Sequence, residues 1–423
     1  MKNNLNVVSL FSGCGGMDLG FEGDFEILKK SMNISKNPHW NITQTSKDEW
    51  VRLPKTRFNT VFANDILKEA LTAWQVYFSK KGLDKNIYHL ESIVDVVKNH
   101  KDGGSVLPLN LEIDVITGGF PCQDFSVAGK RKGFNSHKGH DGKIINDEIA
   151  SVENRGQLYM WLKEVISIAK PKMFIAENVK GLVSLSDVKQ IIENDFRAIG
   201  DEEYIVVEGK VLHSADFGVP QSRERVFFFG FKKSDLKEDA IKELSKTNIS
   251  SEYDPFPSRT HEYTELSLLD FSTNLMPPVT TKDCFVGLEE PDSAPDLAQQ
   301  SYSKAKFMGK HCQGQSEVNL NSIAPTIRAE HHGNIEYRRL SIENGGKNLD
   351  ELNTGLIERR LTVRECARIQ TFPDDYDFVF KSKEKGQNLS ASAAYKVIGN
   401  AVPPLLAFHI AKNLEDKWNK YFI

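Results

Sequence analysis

Up to about residue 231 the chain alternates short apolar runs with stretches whose apolar residues recur at helical spacing. The runs are VVSLF (7–11), TVFAND (60–65), Ile113 with Val115 and Ile116, KMFIAENV (172–179) and an aromatic run within GVPQSRERVFFFGF (218–231). β-Branched and aromatic residues bounded by glycine or polar turns predict buried strands. Between two of them, Leu158, Trp161, Leu162, Val165 and Ile166 fall at i, i+3, i+4, i+7 and i+8, which predicts a helix over 157–169. Strand, helix, strand in that order is a parallel unit with a crossover helix, so the class is α/β. Beyond 231 the alternation fails. Residues 232–250 read as a charged helix, and 251–356 are rich in Pro, Ser, Asn and Asp with few periodic runs, which predicts a second, irregular domain. Periodicity returns in RRLTVRECARIQTFPDDY (359–376), where Thr362 and Glu365 fit a capping box, and in the amphipathic C-terminal stretch after GNAVPP (399–404).

Candidate chemistry gathers where the strands end. The first run breaks into a turn containing Gly13, Gly15 and Gly16, which permits close backbone approach to a ligand but lacks the Gly-x-Gly-x-x-Gly spacing of a dinucleotide site. The second run ends at Asp65, where a carboxylate can accept from ribose hydroxyls or simply cap a helix. Cys122 follows Pro121 just past the third strand, and Glu177 closes the fourth on the same sheet edge. A cysteine in such a place is either a small core residue or a nucleophile. Directly after it, residues 127–143 set Lys130, Arg131, Lys132, Lys138 and Lys143 against Asp141, a local excess of positive charge suited to an anionic partner.

Composition narrows the options. A net charge of -4 excludes a protein that coats nucleic acid by bulk charge, while leaving local grip open. The five cysteines are widely spread with no Cys-x-x-Cys pair, so neither a disulfide framework nor a zinc site is expected. The pairs His137/His140 and His331/His332 read as loop histidines, and no metal is expected. With no long apolar stretch and no leader pattern, a cytoplasmic, membrane-free protein is expected.

FSGCGG (11–16), GGFPCQDFS (118–126), AENVKG (176–181), QSRERVFFFG (221–230), RRLTVRECARIQTFPDDY and GNAVPP stand in the order found in DNA cytosine-5 methyltransferases of the restriction-modification type, which this chain resembles over 5–231 and 358–412. The resemblance implies a Rossmann-like, S-adenosylmethionine-dependent catalytic domain (1–250), a smaller irregular target-recognition domain leading back to it (251–385) and a C-terminal segment (386–423) that completes it. Double-stranded DNA is the implied substrate, the enzyme is expected to act as a monomer, and a cognate restriction endonuclease is its expected functional partner.

By the same resemblance Cys122 adds to carbon 6 of a flipped-out cytosine, Glu177 holds ring nitrogen 3 and the exocyclic amine, and Arg225, with Arg223 beside it, contacts the cytosine carbonyl. Phe11, Ser12, Gly13, Cys14, Gly15, Gly16, Asp65, Ile93 and Asn400 are implied to hold S-adenosyl-L-methionine and its product S-adenosyl-L-homocysteine. Phe11 could equally be plain core. Two departures from the family pattern stand out: Ser92-Ile93 replaces the usual Asp-Ile, and residues 29–60 are longer than the usual link, with no role legible in them. In the irregular segment Arg259, His261, Gln313, Gln315, Arg328, His331, His332 and Asn334 are the expected readers of base edges. A tRNA cytosine-5 methyltransferase, a catalytically silent DNA-binding module and a hydride-transfer dehydrogenase are the competing readings. An intact Pro-Cys-Gln, Glu177 and Arg225 argue against the silent module, and the glycine turn against the dehydrogenase.

Overall fold

The structure, a computed structural model, describes residues 4–121, 158–185, 187–200, 203–263, 274–329, 334–380 and 389–423. Cys122, the basic loop 127–143, His331 and His332 lie outside the described residues.

The alternation seen in the sequence becomes β1 (Leu5–Leu10), α1 (Gly16–Glu22), then three short strands β2 (Glu26–Leu28), β3 (Thr43–Gln44) and β4 (Trp50–Arg52). Next come β5 (Phe58–Asp65), α2 (Lys68–Lys80), β6 (Tyr88–Leu90), α3 (Ile93–Lys101), β7 (Val115–Gly119), α4 (Leu158–Ala169), β8 (Met173–Val179) and α5 (Val188–Arg197). A long antiparallel pair, β9 (Tyr204–His213) and β10 (Glu224–Lys232), precedes α6 (Glu238–Leu244). Seven of these strands form one sheet in the order β6-β5-β1-β7-β8-β10-β9. All its neighbours pair in parallel except β10, which runs against both β8 and β9.

Alternate residues along each strand enter opposite layers, as a period of two requires. Val7, Val115, Ile175, Phe227 and Phe229 join the apolar layer that also holds residues of α1 and α2. Val8, Ile116, Phe174, Ala176 and Phe228 join the layer of α3, α4 and α5. A sheet covered on both faces explains why β8 and β10 read as continuous apolar runs.

The order places β5 on one side of β1 and β7 on the other, so the chain reverses its winding between β1 and β7. Ligands of open α/β sheets bind at the carboxyl ends of the strands at such a switch point, and here those ends carry FSGCGG and GGFPC.

The later part of the chain contains α7 (Thr281–Cys284), α8 (Leu297–Gln300), β11 (Tyr337–Arg339), α9 (Leu349–Asn353) and β12 (Arg359–Arg360). It is stitched to the rest by single bridges such as Gln221 with Ala324 and Tyr302 with Thr362. The capping box forms: Thr362 accepts from Glu365 N, and the Glu365 carboxylate accepts from Thr362 N, at the start of α10 (Val363–Ile369). Two helices close the fold, α11 (Ala391–Asn400) and α12 (Pro404–Tyr421). Gly20 of α1 lies so near α12 that an added Cβ would meet that of Ala407 at 2.4 Å.

The charged helix expected over 232–250 is only the seven residues of α6. Its start is pinned from outside, because Lys237 N donates to Tyr421 O and Leu236 bridges Phe422. Its end is set where the Ser245 hydroxyl bonds back to Ile241 O, ahead of a polar, β-branched stretch of low helix propensity.

Candidate active site

The loop after β1 is held from behind by a residue the sequence did not single out. Asp18, 1% exposed, accepts from the Ser9 hydroxyl at 2.5 Å, the Ser12 hydroxyl at 2.5 Å and the Trp74 indole at 2.7 Å. Burial pushes its carboxyl above the usual range despite those three donors. The available signal was an acid among apolar and glycine residues in GGMDLGF, a polar group that had to be buried with partners. In front of this anchor Phe11 takes φ 53, a left-handed conformation costly for a side chain of its size. Gly15 takes φ 78, and a Cβ there would sit 2.6 Å from Trp74 and Phe78. The turn is therefore one that this glycine alone permits.

Asp65, at the end of β5, does two jobs at once. Its Oδ2 accepts from Gly13 N at 3.0 Å and its Oδ1 from Leu67 N at 2.9 Å, so it caps the following turn and also fixes the loop. Its carboxyl is pushed above the usual range by burial. Beside it Ile66 and Leu90 are each 44% exposed at the sheet edge, and Phe11, Ser12 and Gly13 are half-buried. Exposed apolar side chains next to a half-buried acceptor fit the flat base and hydroxyl-bearing sugar of a nucleoside. Ile66 and Leu90 were not anticipated.

Three expected cofactor residues sit differently. Ile93 is 2% exposed within the core, with Ser92 capping α3 through Val94 N. The Cys14 side chain turns inward, its thiol 3.2 Å from Val397 O and its pKa raised by burial, while its carbonyl accepts from the Tyr376 hydroxyl. Asn400 is exposed at the end of α11.

On the other side of the switch point, Gly119 of β7 pairs with Glu177 of β8, and Phe227 of β10 pairs with Glu177 from the other side. Glu177 is thus flanked by main chain on both sides, and it is buried. Its Oε1 lies 2.9 Å from Arg225 Nε, while Arg225 also donates to Glu224 O at 2.8 Å. Burial raises the Glu177 pKa, and the charges of Arg225 and Arg223 offset part of the shift without cancelling it. A Cβ on Gly119 would stand 3.0 Å from Glu177 Oε2, so the glycine leaves the space the carboxylate uses. This pairing brings an acid of raised pKa and a guanidinium together beside Gly119 at the end of β7.

Arg223 does not share that face. It is fully buried and donates to Ile327 O at 3.1 Å and Gly399 O at 2.9 Å, which makes it a brace between segments rather than a group presented to a ligand. The reason lies in register: Arg223 precedes β10, whereas Arg225 is within it, paired with Val179.

Two of the expected base readers are also interior. His261 is engaged by Lys30 O and the Thr260 hydroxyl, and Gln315 accepts from Met308 N. Gln313 remains exposed, and Arg328 is half-buried against Gln313 and Glu336. A groove of 820 Å³ lined by α5, β9 and residues 244–249 lies at the β9 edge of the sheet, and none of these groups lines it. Among the described residues no cluster of three or more His, Cys, Asp or Glu could hold a metal ion, and no helix is long and apolar enough to cross a membrane.

Residues 5–416 match the family model described as C-5 cytosine-specific DNA methylase. Among curated proteins, the chain is 30% identical to the Type II methyltransferase M.FnuDI of Fusobacterium nucleatum, covering 97% of this chain and 94% of that one. It is 32% identical to the Type II methyltransferase M.BsuRI of Bacillus subtilis, covering 98% and 80%. Among solved structures it resembles a putative DNA modification methyltransferase encoded within an Escherichia coli prophage, with a TM-score of 0.55 and 20% identity over 98% of this chain and all of that one. At that identity the likeness speaks for the fold.

Proposed function

Since the chain belongs to the C-5 cytosine-specific DNA methylase family and is a DNA cytosine methyltransferase, we propose that it methylates carbon 5 of a flipped-out cytosine through a covalent Cys122 adduct. The target is one short double-stranded sequence, and methylation protects it from a cognate restriction endonuclease. The names of the Type II relatives, matched over nearly the full chain, support the setting.

The observation that carries the mechanism is the buried Glu177–Arg225 pair at the strand ends before Cys122. Cytosine carbon 5 is a weak nucleophile until something adds at carbon 6. The Cys122 thiolate adds there, and the ring accepts negative charge that Glu177 meets by donating a proton to nitrogen 3. Arg225 faces the developing charge at the carbonyl oxygen, and its charge holds the Glu177 pKa below where burial alone would put it. Once carbon 5 carries the methyl group, a base removes the proton still on carbon 5, the thiolate is expelled and nitrogen 3 returns its proton to Glu177, which restores the ring. The family uses S-adenosylmethionine, which when bound supplies an electrophilic methyl group. Ser12, Gly13 and Asp65 would hold it, with Phe11, Ile66 and Leu90 against the adenosine. A duplex base is out of reach of all these groups, so flipping, at a cost of a few kcal/mol, precedes addition. The basic loop 127–143 is the proposed phosphate grip, and 251–356 the proposed reader of base edges.

The test is trapping. DNA with 5-fluorocytosine at the target should form an adduct with the wild type that survives denaturing electrophoresis, because fluorine cannot leave as a proton. Cys122→Ala should form none, transfer no methyl groups, and still bind S-adenosylmethionine. Turnover by that variant would overturn the covalent mechanism.

A further inference from the structure

Between α1 and β5 the chain makes an excursion, 24–57, longer than the few residues that usually join a helix to a neighbouring strand. It folds into its own antiparallel sheet, β2-β4-β3. Its anchors are apolar: Trp40, Trp50, Val51 and Leu53 are buried in the main core. Trp40 packs edge-on to Phe408 of α12 and donates to Asp416 at 2.8 Å. From the footing on α12 the excursion reaches the start of the irregular segment. We propose that Asn33 is a positioning residue that fixes how the recognition segment leaves the catalytic unit and thereby sets target selectivity. This rests on the reading that 251–356 selects the target.

Asn33 is 1% exposed. Its amide nitrogen donates to Thr260 O at 3.1 Å and Asn274 O at 2.7 Å, and its oxygen accepts from the Ser35 hydroxyl at 2.8 Å and Lys36 N at 3.2 Å. Both donors and both lone pairs of one side chain are thus used. The two carbonyls belong to two separate stretches of the segment, joined by an isolated bridge: Met276 N donates to Thr260 O and Glu262 N to Met276 O. One amide therefore staples both stretches to the excursion.

Neighbouring contacts converge on the same place. His261 Nε2 lies 2.9 Å from Lys30 O, Lys36 Nζ donates to Arg259 O, and Lys30 Nζ pairs with Asp283 at 2.6 Å beside the capping box of α7. Gly218 admits the excursion, since a Cβ there would stand 2.1 Å from Ser31 O. Base-edge readout requires a reader placed within hydrogen-bond tolerance, so a change in this staple alters discrimination while leaving the cofactor loop and the Glu177–Arg225 pair in place.

Asn33→Asp keeps the shape but removes both donors and sets a carboxylate against two carbonyls. Asn33→Ser keeps one donor and is the milder variant should the first fail to fold. Methylation of the cognate site and of sites with one mismatched pair is measured for both, with S-adenosylmethionine affinity by calorimetry. The expected result is a rise in KM for cognate DNA and at least a tenfold loss of cognate preference, with kcat at saturating DNA and cofactor affinity within about twofold. Unchanged preference in a folded variant overturns the proposal. A parallel fall in cofactor affinity and kcat overturns it too, because that marks a general loss of structure. A graft of 277–356 from a relative with a different target keeps the two failures apart. If the graft moves the target but Asn33 variants do not affect preference, only the staple is wrong. If the graft does not move it, the underlying reading is wrong.

Discussion

Replacing Glu177 by Gln should separate stability from catalysis. At 2.9 Å the Glu177–Arg225 attraction is about 6 kcal/mol gross for an effective dielectric of 20. Burial nevertheless outweighs it, because the carboxyl pKa lies above its usual value. The neutral amide removes the attraction and the larger desolvation cost together, and its oxygen can still accept from Arg225. Stability should change by less than about 2 kcal/mol, well below the ~3–5 kcal/mol for leaving a buried charge unpaired. Because the folded pKa is raised, Glu177 supports the fold fully below its unfolded pKa, and that support is lost as pH rises through the folded value. The amide variant should lack this dependence. Gln, however, has no acid proton for ring nitrogen 3, so single-turnover methyl transfer should slow by roughly 10²–10⁴, about 3–5 kcal/mol of barrier. The assay is transfer of a labelled methyl group to DNA under single-turnover conditions, with thermal denaturation and cofactor calorimetry as controls. A rate within threefold of wild type, in a folded protein that binds the cofactor normally, would refute proton donation by Glu177.

Asp65→Ala removes the acceptor of Gly13 N as well as a proposed ribose contact, so S-adenosylmethionine affinity should fall by roughly 2–4 kcal/mol in calorimetry, and Asp65→Asn, which keeps one oxygen, should fall less. His409, buried in α12 near His261 and Lys36, has its pKa lowered to about 3, by burial first and by electrostatic repulsion from His261 and Lys36 second. Its contribution to stability is present above the unfolded value of about 6.5 and is lost as pH falls toward 3, so chemical denaturation of His409→Gln should show a pH slope shallower by up to about 1.4 kcal/mol per unit in that window; an equal slope would move the sensitivity to other groups.

The fold was largely legible because buried parallel strands and amphipathic crossover helices carry strong periodic signals. β1, β5, β7, β8 and β10 fall where the apolar runs stand, and α4 ends at its expected last residue, Ala169. Glu177 was legible at the sheet edge because it closes a recognisable strand, whereas Arg225 entered only through the family resemblance. What was hidden depends on contacts that no local pattern encodes. The small sheet of 24–57 is made of strands of two or three residues, too short for a period of two to appear. His261 and Gln315 looked like free polar groups because tertiary hydrogen bonds, not sequence, bury them. Asp18 was passed over since its partners come from Ser9, Ser12 and Trp74, on three separate elements.

Cys14, Arg223 and Asn400 read in sequence as separate ligand-binding residues, yet all three lead to residues 397–402. Cys14 directs its thiol to Val397 O, Gly16 sits where a Cβ would stand 2.3 Å from Val402 O, and Arg223 holds Gly399 O. Gln370, just past α10, donates to Ile398 O and Ala401 O. Gly399 leaves room for the irregular segment, since a Cβ there would lie 2.1 Å from Arg328 O. Nearly every grip on this stretch is through a backbone carbonyl, so neighbours must approach its main chain closely, as they do at Gly399. The loop after β1, the brace before β10 and the irregular segment therefore share one piece of chain. Backbone contacts at Gly399 and Val397 thus tie the irregular segment at Arg328 and the loop after β1 to one common support. That coupling gives the GNAVPP stretch a physical reason to be where it is, independent of any ligand Asn400 touches.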